Sequence, residues 1–296
     1  MLAQQLFNGL VVGAVYALFA LGFNLVFGVH KIMNLAHGAV FMIGAFAGLF
    51  TVNAGLPLWA ALIFATVCSG LLAVVTELLV FRPLRSTTEA EFAFLIGSIG
   101  VDMILVNIAL RVSDARTLRF PFGIVPVEPL VLFGLRITPL QLIIVGAVVF
   151  CAAALAWYLH RTSYGRQVRA VSNNERAAIL LGVEPRSVYF QTFFISGALA
   201  GIAGVLIGLA FNSISFTMGE PYMLRGFVIL ILGGLGSLVG AVTAGLALGM
   251  VQTVAAVYLP VGLSDLIVYS LLFLVLLVRP NGFFGDPVAD ARVARR

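Results

Sequence analysis

Long apolar runs separated by short polar connections extend along almost the whole chain. Eight of these runs approach the length of a membrane span: 6–27, 32–52, 58–81, 92–110, 140–159, 188–211, 223–259 and 266–278. A helix needs about 20 residues to cross the hydrocarbon layer. The run at 223–259 is therefore long enough for two helices, with a break expected at the glycines between Gly233 and Gly240. The pattern predicts an all-α, polytopic membrane protein with eight or nine transmembrane helices.

Composition indicates a single membrane domain over residues 1–296. Hydrophobic residues make up 61% of the chain, charged residues make up 10%, and the mean hydropathy is +1.12. Soluble domains carry about 25% charged residues. The first charged residue is Lys31, so the run at 6–27 is predicted to be a retained span and not a cleaved signal peptide. Cys68 and Cys151 fall inside apolar runs and are predicted to be core residues.

Arginines cluster on one predicted side of the membrane. If the spans alternate, Arg82 and Arg85, the loop at 161–187 and a short tail at 286–296 all lie together. The positive-inside rule places this side in the cytoplasm. The connection at 113–139 and the amino terminus then lie outside. These loop arginines account for the formal net charge of +5, and no nucleic-acid partner is predicted.

The loop at 163–189 is the long polar stretch of the chain, and it contains the signature of its own short helix. Ser172 followed by Glu175 forms a capping-box pattern, in which the hydroxyl and the carboxylate satisfy free N–H groups at a helix start. Gly182 suits a left-handed C-cap, and Pro185 prevents continuation of the helix. These signals predict a helix at 173–181, about 14 Å long, which is too short to cross a bilayer.

This predicted helix carries an apolar patch made by Ala177, Ala178, Leu180 and Leu181, with arginines around it. A short helix with one apolar face is typical of segments that insert into a groove on a partner protein. The alternative is a solvated loop that only orients the chain in the membrane through its positive charge.

Polar side chains inside the apolar runs are costly in lipid unless they face protein or water. The candidates for lining a translocation path are Asn34, His37, Ser98, Asp102 and Asn107. Asn34 and His37 lie just before Gly38 and predict a helix break, which membranes accept only beside a cavity or inside protein. A purely structural role is the alternative for His37. Asp102 lies in the middle of a predicted span and is expected to face the interior of the bundle.

Sequence motifs for chemistry are missing. The chain has one lysine and no G-x-x-x-x-G-K-[ST] segment that would bind a nucleotide. It contains no H-E-x-x-H, no G-x-S-x-G and no cluster of cysteine and histidine. We therefore predict no catalytic residue, no metal and no cofactor. Any energy from ATP must enter through another subunit.

Four segments, in this order along the chain, carry a resemblance to a known family. They are LFNGLVVGAVYALFALGFNLVFGVHKIMNLAHGAVFMIGAF, TSYGRQVRAVSNNERAAILLGVEPRSVYFQTFFISGALAGIAGVLIG, GFVILILGGLGSLVGAVTAGLALG and LLFLVLLVRPNGFFG. Together they resemble the permease subunits of branched-chain amino acid ABC importers, in particular the H-type member of the permease pair. The resemblance runs from about residue 6 to residue 285.

The resemblance implies the transmembrane-domain fold of an ABC importer in the bacterial inner membrane. The implied partners are a second homologous permease, two cytoplasmic ATPase subunits, a periplasmic binding protein, the bilayer and an amino-acid substrate. The loop at 161–187 would then contain the coupling helix that contacts the ATPase. Its candidate contact residues are Arg169, Glu175, Arg176, Ala177, Ala178, Leu181 and Gly182. The sequence departs from the family pattern at Arg176, where an acidic residue is usual, and at Asp102, where a small polar residue is usual.

Two other functions stay open at the level of sequence. Urea and short-chain amide importers use a similar permease, and the polar residues of the path do not separate them. A protein of another class, an ion-coupled secondary transporter or a channel, would suit helices broken at 34–38 and 233–240. In that case His37 and Asp102 would relay protons. Such a protein gives no role to the short helix in the cytoplasmic loop.

Overall fold

The computed structural model describes residues 2–85, 87, 89–126, 128–132, 134–260, 263–279 and 282–284. The predicted tail at 286–296 lies outside the described residues. The helices are α1 Leu2–His30, α2 His37–Asn53, α3 Leu58–Thr76, α4 Arg82–Leu84, α5 Ala90–Val112, α6 Pro139–Arg161, α7 Ser163–Asn173, α8 Glu175–Leu180, α9 Pro185–Phe211, α10 Gly219–Gly233, α11 Leu238–Tyr258 and α12 Leu263–Val278. A π-helical segment, Glu77–Phe81, joins α3 to α4 without a break. Two short strands, β1 Leu130–Leu132 and β2 Leu135–Ile137, pair antiparallel.

Six helical stretches in the described part of the chain are long and apolar enough to cross a membrane. They are α1, the continuous stretch from α3 to α4, and α5, α6, α9 and α11. The apolar helices α2 and α12 are shorter. The predicted run at 223–259 is divided between α10 and α11, and the chain turns between Gly233 and Leu238. The all-α membrane fold and the glycine break are therefore confirmed.

Two long helices, α1 and α9, form the centre of the bundle. In the most apolar 18-residue stretch of each helix, 83% of the residues of α1 and 78% of those of α9 are buried, compared with 22% for α5 and 28% for α6. The outer helices are apolar on faces that protein does not cover, as lipid-facing helices must be. The core is therefore a pair of helices wrapped by others, and α11 packs along α1 while α3 packs along α9.

The two ends of α1 mark the two ends of the bundle. Near its first residue, the Gln4 side chain donates a hydrogen bond to the Arg136 carbonyl at 2.9 Å, beside the β1–β2 hairpin. Near its last residue, the Gly28 carbonyl accepts a hydrogen bond from the Ser172 hydroxyl of α7 at 2.7 Å. We call these the hairpin end and the α8 end. The long polar loop and the connection at 113–138 therefore lie at opposite ends of a 29-residue helix.

The chain breaks in the same way after each central helix. After α1, Lys31 takes a left-handed backbone with φ 57°, and six residues without helix lead to the start of α2. After α9, Asn212 takes the same conformation with φ 45°, and α10 begins at Gly219. The two helix starts meet inside the bundle, where a Cβ atom added to Gly219 would overlap the Gly38 carbonyl. Only glycine allows the two backbones to approach so closely.

These breaks belong to an internal repeat. The left-handed residues Lys31 and Asn212 and the helix-start glycines Gly38 and Gly219 are separated by one constant offset, since 212 − 31 and 219 − 38 both equal 181. The same offset relates the last residue of α1, His30, to the last residue of α9, Phe211. The segment α1–α2–α3 is thus repeated as α9–α10–α11.

The two copies of the repeat run in opposite directions. Gly48 of α2 packs on Val205, towards the hairpin end of α9. Gly226 of α10 packs on Phe19, and Gly236, just beyond α10, lies against Gly28 at the α8 end of α1. The half-length helices α2 and α10 therefore start together in the middle of the bundle and lead to opposite ends, as in an inverted-topology repeat.

Candidate functional site

The polar loop forms two short helices, α7 and α8, that pack across the α8 end of the bundle. The Thr162 hydroxyl accepts a hydrogen bond from the Gly165 N–H at 2.9 Å and caps α7. The Asn174 side chain accepts one from the Ala177 N–H at 3.0 Å and caps α8. Capping of both starts satisfies N–H groups that would otherwise be free and gives each helix a defined first residue.

The predicted capping box was wrong, because a different residue caps the short helix and the helix is shorter than predicted. Ser172 does not cap a helix at 173–181, because it lies within α7 and its hydroxyl is hydrogen-bonded to Gly28 of α1. The chain instead bends at Asn174, whose extended backbone (φ −158°, ψ 104°) separates the two helices. A contact with a distant helix thus determines the role of Ser172, and the local pattern of serine and glutamate does not contain that information.

The predicted end of the short helix is confirmed. Gly182 has a left-handed backbone with φ 82°, and the Val183 N–H donates to the Ala178 carbonyl at 3.0 Å. This is the bonding of a glycine C-cap. Pro185 does more than stop α8, because it is the first residue of α9, where its missing N–H costs nothing.

Apolar side chains are exposed at the C-terminal end of α8 and at Leu181, the residue that follows it. Leu180 is 87% exposed and Leu181 is 81% exposed, with Ile179 beside them. The predicted patch is divided, however, because Ala178 is only 1% exposed and packs into the bundle. We call the exposed group Ile179, Leu180 and Leu181 the α8 apolar face.

The remaining predicted contact residues surround this face. Glu175, Arg176, Ala177 and Gly182 are exposed. Arg169 of α7 is half-buried, and its Nη1 atom has no hydrogen-bond partner among the described residues. A buried donor of this kind is costly unless it gains a partner. The structure therefore brings six of the seven predicted contact residues, with Ala178 as the exception, to or near one accessible surface.

Three of the predicted path residues are buried and bonded within the protein. The Asn34 side chain accepts a hydrogen bond from the Ala36 N–H at 3.2 Å within the break before α2. The His37 ring lies 3.3 Å from the Phe19 carbonyl and 3.4 Å from the Ser196 hydroxyl. Ser98 donates to the Leu95 carbonyl at 2.8 Å in its own helix. In this conformation none of the three side chains is accessible.

The other two predicted path residues lie on different sides of α5, since they are five positions apart in the helix. Asn107 is exposed and its amide donates to the Met103 carbonyl at 2.7 Å. Asp102 is partly exposed and interacts electrostatically with Glu220, which lies in the first turn of α10. The structure thus places Asp102 beside the start of α10 and not beside His37.

A polar cluster that the sequence predictions missed joins α1, α10, α11 and α12. Arg225 donates to Asp265 at 3.0 Å, and Gln252 donates to the same carboxylate oxygen at 3.1 Å. The Tyr16 hydroxyl donates to the Gln252 side chain at 2.9 Å. The Arg225 guanidinium also lies 5.7 Å from the Tyr16 ring and 5.5 Å from the Tyr222 ring. Both distances are within cation–π range.

One signal in the sequence would have identified part of this cluster. Arg225 and Gln252 both fall inside the predicted run at 223–259, where a charged residue is itself evidence of a buried partner or of function. Glu220 lies three residues before the predicted run at 223–259, and Asp265 lies one residue before the run at 266–278. The run boundaries therefore place both residues in connections between spans, where a charged side chain is common.

Comparison with known proteins connects this arrangement to one family. Residues 5–276 match the family described as Branched-chain amino acid transport system / permease component. The high-affinity branched-chain amino acid transport system permease protein LivH of Salmonella typhimurium is 31% identical over 299 residues, which cover 97% of this chain and 96% of the relative. The corresponding protein BraD of Pseudomonas aeruginosa is 30% identical over 304 residues, which cover 97% of each chain.

A more distant relative shows the same full-length correspondence. The probable branched-chain amino acid transport permease protein LivH of Methanocaldococcus jannaschii is 24% identical over 283 residues, 90% of this chain and 88% of the relative. The similarity therefore extends through the central helices, both breaks and the α7–α8 segment. The chain belongs to the permease family of branched-chain amino acid ABC transport systems and has the transmembrane-domain fold of that class.

Proposed function

We propose that this chain is a membrane subunit of an ATP-driven importer of branched-chain amino acids in the bacterial inner membrane. A periplasmic binding protein delivers the amino acid at the hairpin end, and ATPase subunits dock at the α8 end, which faces the cytoplasm. Family membership and the full-length relatives support this assignment. The chain itself has no nucleotide-binding motif, so a separate subunit hydrolyses ATP.

The observation that carries the proposal is the α8 apolar face. Leu180 and Leu181 are more than four-fifths exposed on a helix that is capped at both ends. In a polar environment such side chains are typical of a docking site, because burial in a partner's groove removes their apolar surface from water. We assign this groove to the ATPase subunit.

The α7–α8 segment is connected to the central helices α1 and α9, so a displacement of α8 can be transmitted to them. Ser172 of α7 is hydrogen-bonded to the last turns of α1, and α8 is joined to α9 through the short Gly182 turn. The central helices α1 and α9 are therefore the first elements that a displacement of α8 would reach. This geometry suits alternating access, in which closure of two ATPase subunits on ATP moves the bundle.

We place the translocation path beside the start of α10, where Glu220 is exposed and Asp102 of α5 lies within electrostatic range. Asp265 of α12 is also partly accessible and is paired with Arg225 of α10. Asn107 points to a different side of α5 from Asp102 and is not assigned to the path. Charged groups at membrane depth are costly in contact with lipid. We therefore assign the second permease subunit to this side, where the two chains enclose the path. Asn34, His37 and Ser98 would reach the path only after a movement of α2 or α5.

The substrate assignment follows the relatives, and the charge pattern of the path is compatible with it. A free amino acid is a zwitterion, and the path offers carboxylates together with Arg225. Urea and short-chain amides are neutral and would gain less from these charges. The soluble binding protein selects among amino acids before the substrate reaches the membrane.

The test replaces the α8 apolar face with charge. Leu180→Glu combined with Leu181→Glu should abolish co-purification with the ATPase subunits and ATP-dependent uptake of leucine into proteoliposomes, while membrane insertion stays normal. The matched control for co-purification with the ATPase subunits is Phe122→Glu, because Phe122 is 94% exposed at the hairpin end, away from α8. Replacement of Ala178 is a poorer test than the sequence suggested, because Ala178 is buried.

Two outcomes would contradict the proposal. Retention of both the complex and uptake in the Leu180/Leu181 variant would remove the docking role of α8. Uptake by the purified chain alone, driven by an ion gradient without ATP, would instead support a secondary transporter.

A further inference from the structure

A polar cluster centred on Arg85 lies where α1, α3, α8 and α9 meet. The Arg85 guanidinium forms an ion pair with Glu77 at 2.7 Å and lies 3.3 Å from the His30 Nδ1 atom. It also stacks over the Tyr189 ring, 3.7 Å from the ring centroid. One side chain thus contacts the end of α1, the π-helical segment after α3 and the first turn of α9.

The cluster continues from Tyr189 to the docking helix. Tyr189 is the fifth residue of α9, and the short turn at Gly182 joins α9 directly to α8. Tyr189 is itself buried, and its ring contacts both the His30 ring, 4.5 Å away, and the Arg85 guanidinium. A displacement of α8 therefore acts on Tyr189 before it acts on any other part of this cluster.

The end of α1 is fixed in the same cluster. The His30 Nε2 atom lies 2.7 Å from the Thr192 hydroxyl of α9, and the His30 ring packs edge-on against Phe193, 5.0 Å between centroids. His30 is the last helical residue before the left-handed turn at Lys31, which starts the break before α2. A shift of Arg85 would thus reach the residue that adjoins this break.

The Glu77 carboxylate has an unused acceptor. Glu77 is almost completely buried, and its Oε2 atom has no hydrogen-bond partner among the described residues, while Oε1 is paired with Arg85. It begins the π-helical segment Glu77–Phe81, and such segments are found frequently at functional sites. A planar guanidinium can bind a carboxylate through one nitrogen or through two. The pair therefore has a second arrangement available without a change of partner.

We propose that Arg85 is a positioning residue that couples α8 to the transport bundle. A movement of α8 reaches Tyr189 through the Gly182 turn and the start of α9, and Arg85 passes the displacement to Glu77 of the π-helical segment and to His30 of α1. Coupling through packed polar contacts requires elements with discrete arrangements, and the Arg85–Glu77 pair provides one. This inference rests on the proposed function, because it assigns a path to the movement that ATPase docking starts.

The experiment measures leucine taken up per ATP hydrolysed. The complete importer, with partner permease, ATPase subunits and binding protein, is reconstituted in proteoliposomes with each variant. The single variant Arg85→Gln leaves Glu77 buried without its partner, and the protein can then fail to fold. The decisive variant therefore combines Glu77→Gln with Arg85→Gln, which replaces the ion pair with a neutral pair. Arg85→Lys keeps the charge but loses the planar fork. Arg82→Gln is the matched control, because Arg82 is exposed in the same short helix.

We expect the neutral pair to assemble with the ATPase and hydrolyse ATP, while uptake per ATP falls about tenfold, within the usual range of coupling between two sites. Arg85→Lys should give an intermediate ratio, and Arg82→Gln should give the wild-type ratio. A purely structural role would lower the amount of complex and leave this ratio unchanged.

Two results would overturn the inference, and they are distinguishable. A wild-type ratio in the neutral pair would show that Arg85 stabilises the fold only, with docking through α8 unaffected. Wild-type importer that takes up leucine without ATP, or that binds no ATPase, would reject the proposed function and the role of Arg85 with it.

Discussion

The break before α2 and the break before α10 share backbone features and have different chemical surroundings. In each, a left-handed residue follows the central helix, and matching backbone bonds, His37 to Asn34 and Met218 to Ser215, are both 3.2 Å long. At the first break, His37 is only 2% exposed, between the Phe19 and Phe23 rings. At the second, the carboxylate of Glu220 is exposed and faces Asp102.

The comparison distinguishes a backbone feature that the fold requires from a side chain that we assign to transport. The shared backbone shows that a broken helix is needed at both positions to fit α2 and α10 between the long helices. At the helix starts themselves, only the second break has a charged side chain, Glu220, which we assign to the proposed path. Broken helices in both halves of the sequence also suit a secondary transporter. In this chain they belong to the internal repeat and do not distinguish the two mechanisms.

The largest expected effect comes from filling the contact that both breaks share. Gly219→Ala would push a Cβ atom into the Gly38 carbonyl, and backbone cannot move aside as a side chain can. We expect a loss of about 3 kcal/mol of unfolding free energy, the upper part of the range for overpacking. Denaturant unfolding in detergent micelles measures this loss.

The control for that substitution is Gly100→Ala in α5, where, apart from the backbone of α5 itself, a Cβ atom would meet no heavy atom of the described residues within 4 Å. Alanine is the better helix former, so this variant should be as stable as the wild type or slightly more stable. Equal stability of the Gly219 and Gly100 variants would show that the two helix starts are not in close contact.

A charge change at the second break should impair transport more than folding. Glu220→Gln keeps the shape of the side chain and removes the carboxylate that we assign to the path. A hydrogen bond to a charged group contributes about 1.5–3 kcal/mol, so loss of such a bond to the ammonium group of the amino acid should lower ATP-dependent leucine uptake about tenfold or more. The unfolding free energy should change little, because Glu220 is exposed. Wild-type uptake in this variant would remove Glu220 from the path.

The sequence predicted the features that depend on local chemistry. Apolar run lengths located the long helices, and Gly182 marked the end of α8 because a left-handed residue favours glycine. The role of Ser172 was not predictable, since it depends on Gly28, 144 residues away. The cluster around Arg225 and Asp265 brings together residues from four helices, and its geometry exists only in the packed bundle.

A substitution at the first break should lower stability and leave transport nearly unchanged, which is the opposite of the result expected for Glu220→Gln. His37→Leu removes the ring nitrogens that lie beside the Phe19 carbonyl and the Ser196 hydroxyl. We expect a loss of about 1 kcal/mol of unfolding free energy, the typical net value of a hydrogen bond, and uptake per folded molecule close to the wild type. A selective loss of uptake with normal stability would instead place His37 in the path, as the sequence first suggested.

The smallest effect concerns the left-handed residues themselves. A left-handed backbone costs most residues about 1–2 kcal/mol, and glycine avoids this strain at an entropic cost of about 0.5–1 kcal/mol. Lys31→Gly should therefore stabilise the protein by about 0.5 kcal/mol. The equivalent Asn212→Gly should give no gain, because the Asn212 side chain accepts a hydrogen bond from the Phe120 N–H at 2.9 Å, which glycine cannot replace. Thermal unfolding of the two variants in the same detergent measures the difference. A gain at Asn212 equal to that at Lys31 would show that the Asn212 side chain adds nothing to the stability of the second break.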